Sequence, residues 1–156
     1  MTIEADLIAA FLKGNGHNLA LLRAIDVESL LLCPRPRART IGKVFAHLHE
    51  VRLRWLEAGG GKRHLEEIEP LGEGEEESRD ALEAALAASA AAIAAFLREV
   101  LAAGERVKGF RGTVPDFVAY LVAHDAHHRG QLLALLARER KKIPEKVAYG
   151  LWEWGG

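Results

Sequence analysis

The chain has 156 residues, 49% of them hydrophobic and 28% charged, about one domain at a prior of roughly 150 residues each and too short for separate cofactor and substrate lobes. Lys and Arg number 21 against 22 Asp and Glu, a net charge of −1, so the basic excess behind non-specific nucleic-acid binding is missing. A single cysteine, Cys33, excludes an internal disulfide and a Cys-x-x-Cys pair and points to a reducing, cytoplasmic setting.

The opening MTIEADLIAAFLKG carries Glu4 and Asp6 where an export signal would be basic and then apolar. Thr2 caps a first helix whose apolar residues Ile3, Leu7, Ile8, Phe11 and Leu12 recur at helical spacing until Gly14 and Gly16 interrupt them. His17 to Ile25 is expected to continue that helix past a kink. The stretch CPRPRART, residues 33–40, holds two prolines and no periodicity, so it is predicted as a loop ending on Thr40 as the next N-cap. A second helix follows from Ile41 to about Ala58, stopped by Gly59, Gly60 and Gly61, with a solvated connection to Glu77 that has room for a short turn.

Ser78 caps a third, alanine-rich helix carrying Leu82, Leu86, Ile93, Leu97 and Leu101 and ending before Gly104. Its uncharged run between Glu83 and Arg98 is shorter than the ~20 residues of a membrane span, so no membrane association is expected. Thr113, Pro115 and Asp116 form a capping-box signature for a fourth helix reaching about Arg140. No segment alternates as a strand does, so residues 1–156 are read as one all-α domain, a four-helix bundle. The tail VAYGLWEWGG is expected to pack on the bundle, with Trp152 and Trp154 sealing one end.

Seven histidines carry the functional signal. At about 100° per residue, His124 and His128 lie within roughly 40° of each other on the apolar stripe of the fourth helix, among Phe117, Leu121, Leu132 and Leu135. Asp125 faces partly inward and His127 lies on the stripe's edge. Two imidazoles one turn apart on a buried face need partners, and this spacing lets both reach one metal ion. Three protein ligands and an open position would make the centre catalytic, so a third ligand is sought elsewhere. His47 and His49 flank the apolar stripe of the second helix at about −100° and +100°, and periodicity does not choose between them. His17 and His64, in or beside expected kinks and loops, are read as solvated. Such a centre should lose its metal as pH falls through about 6 to 5, where imidazole protonates.

The string His124-Asp-Ala-His127-His128-Arg129-Gly130-Gln131, with Thr40-Ile41-Gly42 leading into Ala46-His47-Leu48, Asn18 upstream and Trp152-Glu153-Trp154 in the tail, resembles the DinB-like family of four-helix-bundle metalloenzymes. The resemblance implies His47, His124 and His128 as ligands of a divalent ion, zinc or nickel. It also implies transfer of a low-molecular-weight thiol cosubstrate to a small electrophilic substrate, and a homodimer. Many family members carry Glu where this chain has Asp125, one methylene shorter. Asp125 and His127 are candidates to support the ligands from behind, with solvation the competing role for His127. A His-Glu-x-x-His protease reading of the same string fails on that Asp and on the lack of a strand to hold a peptide. The competing class is a non-catalytic helical binding module with a structural metal or none.

The arginines of loop 33–40 could meet an anion, although such clusters are usually solvated. Gly130 faces away from the histidines. A glycine in mid-helix costs about 1 kcal/mol relative to Ala, which points to close helix contact, across a homodimer or within the chain.

Overall fold

In the computed structural model, which describes residues 2–155, four long helices cover Ile3–Ala24 (α1), Ile41–Gly59 (α2), Arg79–Ala102 (α3) and Val114–Arg138 (α4), and a short one covers Glu145–Gly150 (α5). Each long helix begins where its cap stands. The hydroxyls of Thr2, Thr40 and Ser78 accept from the backbone N–H three residues on, and Thr113 with Asp116 closes a reciprocal capping box. Gly60, in the left-handed region at φ 102°, ends α2 and donates its N–H to the Leu56 carbonyl.

The expected kink does not interrupt α1, which runs unbroken through Gly14 and Gly16. Both halves of the helix bury apolar side chains, Ile8 and Phe11 before the glycines and Leu21 and Leu22 after them, and this burial outweighs the propensity loss of about 1 kcal/mol per glycine. The connection between α2 and α3 carries two three-ten turns, Lys62–Leu65 and Glu75–Glu77. The second lies directly on α2, where a Cβ on Gly42 would collide with the Glu76 carbonyl oxygen. Only glycine permits this approach.

Helix α3 lies beside both α1 and α2, and α4 lies mainly beside α1. The backbones of α2 and α4 meet at few points, and that seam is where the histidines fall. Among the described residues α3 alone is long and apolar enough to cross a membrane. Its Leu82, Leu86, Ile93 and Leu97 are instead fully buried in the bundle.

The core has two apolar halves. One gathers Phe11, Leu56, Ile93, Phe96, Phe117 and Leu121; the other gathers Leu22, Ile41, Phe45, Leu86, Leu132 and Leu136. Between them every long helix contributes buried polar side chains: Asn15 and Asn18 from α1, His49 and Arg52 from α2, Ser89 from α3, and Asp125 and Arg129 from α4.

Two further expectations are corrected. The tail packs on the flank of α1 and does not close an end of the bundle. The Trp154 ring stands edge-on to His17 at 5.0 Å and its carbonyl accepts from Lys13 Nζ at 2.7 Å, whereas Trp152 is 81% exposed. Gly130 is exposed, and a Cβ there would meet no atom within 4 Å, so close helix contact within the chain does not explain it.

Candidate metal centre

His47 on α2 and His124 and His128 on α4 converge at the loose seam between those helices. One ring nitrogen from each lies within 4.8 Å of the other two, and the ring centroids stand 4.6 to 5.4 Å apart. His128 is buried, and His47 and His124 are partly exposed, so the cluster lies at the protein surface with one face open. For all three to bind one ion at Zn–N distances of about 2.0–2.1 Å, the rings would have to draw closer together than they stand here.

The ring environments suit ligation, which requires neutral imidazole. Burial, followed by the charges of Arg39 and the two neighbouring histidines, pulls the His47 pKa down to about 4. Burial likewise lowers that of His128, although its hydrogen bond to Gln131 opposes the shift. In that bond Nδ1 of His128 donates to Oε1 of Gln131 at 3.0 Å, which leaves the Nε2 lone pair free for a metal. The other end of the same amide donates to Nε2 of His127 at 2.9 Å. His127 is itself exposed, so its link to the cluster runs through Gln131.

Asp125 is buried behind His124. Its Oδ1 is 3.7 Å from His124 Nδ1, while its Oδ2 accepts from Asn18 Nδ2 and Arg52 Nη2, each at 2.7 Å. Burial alone would raise this carboxyl. The Arg52 guanidinium, with His124 and Asn18, more than reverses the effect and holds it below the ordinary carboxylate value. The shorter side chain therefore still finds buried cationic and amide partners. Arg129 extends the network by donating to Asn18 Oδ1 at 2.7 Å, and Arg52 donates to Asn15 Oδ1 at 2.8 Å. Asp125 is thus bonded directly to Arg52 and linked to Arg129 only through Asn18, and two buried guanidiniums against one carboxylate leave the ground behind the histidines cationic.

The remaining histidines sort differently from expectation. His49 is buried on the other side of α2 and donates Nδ1–H to the Ala85 carbonyl of α3 at 2.9 Å, away from the cluster. His17, expected in solvent, is 7% exposed because α1 is unbroken and the tail covers it; Nε2 donates to the Glu153 carbonyl at 3.3 Å. His64, also expected in solvent, is partly covered and pairs with Glu99 at 2.8 Å.

Sequence reasoning missed Arg52, Asn15 and Ser89. For Arg52 a signal was present: with Leu48 at zero it falls near +40°, inside the apolar stripe of α2, where a cation requires a buried partner.

A model of the DinB family matches residues 1–140 of the chain. No curated protein and no solved structure matches it.

Proposed function

Because the chain belongs to the DinB family, we propose that His47, His124 and His128 hold one divalent ion, zinc or nickel, and that the protein is an enzyme transferring a low-molecular-weight thiol to a small electrophilic substrate. The observation that carries this reading is the convergence of three imidazoles on an open face at the α2–α4 seam. Among the described residues no fourth histidine, cysteine or carboxylate joins the cluster, which favours a centre with room for substrate over a closed structural one. Asp125, whose Oδ2 is taken by Arg52 and Asn18, acts through His124.

When bound, the ion would supply a Lewis acid that favours the thiolate form of a thiol. The chain's own residues keep the rings in place: Gln131 fixes the Nδ1–H tautomer of His128, and Asp125 stands behind Nδ1 of His124. The transfer forms a bond from sulfur to carbon, sends the thiol proton to solvent and releases the electrophile's leaving group with its electron pair. Cys33 lies in the loop before Pro34, outside the cluster, so the sulfur is that of a cosubstrate.

The protein works in the cytoplasm, as its single cysteine suggests, and as a homodimer, for which the exposed face of α4 around Gly130 is available. Light scattering on the purified chain tests the dimer. The metal reading is tested by metal content per chain, measured by plasma mass spectrometry on tag-free protein purified without chelator, with His124→Ala beside it. A near-stoichiometric ion that the variant loses is the expected result. Protein that stays empty after zinc or nickel is added would return the chain to the class of binding modules.

A further inference from the structure

A cavity of about 640 Å³ between loop 33–40, the start of α2 and α4 reaches the histidine cluster at His128. His128 and Gln131 line its wall beside apolar side chains such as Val44 and Leu132. Every charged side chain on that wall, apart from His128 itself if protonated, is an arginine: Arg35 and Arg39 from the loop and Arg138 from α4. Among the described residues no carboxylate lines it.

These arginines are not equivalent. Arg138 is engaged, donating to the carbonyls of Pro34 at 3.0 Å and Cys33 at 3.4 Å and to Glu139 at 2.9 Å, so it pins the loop to α4. The side chains of Arg35 and Arg39 have no ion pair or hydrogen bond among the described residues. Arg39 also borders the neighbouring cavity that contains His47, so it stands beside the cluster from two directions. A loop held by one guanidinium thus presents two others to a half-apolar space whose wall includes a candidate metal ligand.

We infer that Arg35 and Arg39 bind the carboxylate or phosphate end of a small-molecule cosubstrate, which makes the cosubstrate an anion that lies along this cavity with its reactive end at His128. The inference rests on the reading of the histidine centre given above. A guanidinium offers a planar fork of N–H donors that matches carboxylate and phosphate oxygens, and its pull strengthens beside apolar walls that thin the solvent. The apolar wall takes the body of the molecule, and no wall carboxylate repels its charged end.

The test is calorimetric titration of the metal-loaded full chain with mercaptosuccinate, a dicarboxylate thiol, and with 2-mercaptoethanol, a neutral one. Titrations of the metal-free chain with succinate and with inorganic phosphate run beside it. Wild type is expected to bind mercaptosuccinate at least about tenfold more tightly than 2-mercaptoethanol, the usual scale of one charge-assisted hydrogen bond. The Arg35→Gln/Arg39→Gln variant should lose that preference while keeping its metal. Arg37→Gln removes a charge from the same loop but not from the cavity wall, and should keep the preference.

Equal affinity of the double variant and wild type for mercaptosuccinate overturns the inference, as does an equal loss in Arg37→Gln. Should wild type take up no metal, the histidine reading fails by itself. The metal-free titrations then decide the cavity: binding that the double variant loses supports it, with succinate or phosphate naming the anion, and no binding by either overturns it.

Discussion

Arg52 on α2 donates through Nη2 to Oδ2 of Asp125 on α4 at 2.7 Å, joining, inside the bundle, two helices whose backbones meet at few points. Both side chains are under 5% exposed, so neither charge has water to fall back on. Asp125→Asn would leave Arg52 and Arg129 buried without a counter-charge and is expected to cost about 3–5 kcal/mol of stability. Urea unfolding measures it. A loss below about 1 kcal/mol would mean that the carboxylate is dispensable.

Removing any one of His47, His124 and His128 by alanine should abolish stoichiometric uptake of zinc or nickel, while His64→Ala and His49→Gln should leave it intact. His49 faces Ala85 and His64 faces Glu99, so neither reaches the cluster. Metal content by plasma mass spectrometry, with circular dichroism to confirm folding, reads the outcome. Full retention in His128→Ala would reject this ligand set.

The structure moves the pH window expected from free imidazole. With the His47 pKa at about 4 and that of His128 also lowered, protons should compete with the metal at lower pH than the 6 to 5 expected from ordinary histidines. Folding follows the same sign. A histidine whose folded pKa lies below its unfolded value binds more protons when unfolded, so the metal-free protein loses stability as pH falls from about 6.5 toward 4. His17 and His49, also lowered by burial, add to that slope. Metal affinity and urea midpoints measured between pH 7 and 4 check both statements; a midpoint that rises on acidification would contradict them.

Gly42→Ala should destabilise the chain by about 1–3 kcal/mol, the usual cost of overpacking, because its Cβ would run into the Glu76 carbonyl oxygen. Gly130→Ala meets open space and should raise monomer stability by up to about 1 kcal/mol through helix propensity. Thermal unfolding of the two variants side by side tests the contrast; similar effects would show that the three-ten turn yields easily.

Much of this was legible because the signals were local. Thr2, Thr40, Ser78, Thr113 and Asp116 announce the helix starts through bonds made within four residues. The spacing of His124 and His128 likewise placed both rings on one face. The choice between His47 and His49 was not local, since both lie equally far from the stripe's centre and only the positions of α3 and α4 send one to Ala85 and the other to the cluster. His17 and Trp154 were misread for the same reason: the surroundings of each depend on where the tail returns against α1, more than a hundred residues away in sequence.

The polar layer between the two apolar halves also acts as a ruler. Sliding α2 along α4 by one turn, about 5.4 Å, would carry Arg52 away from Asp125 and into hydrocarbon. Only one register therefore avoids a stranded charge. That register sets His47 level with His124 and His128, so their alignment is fixed by the core and would be in place before any ion arrives.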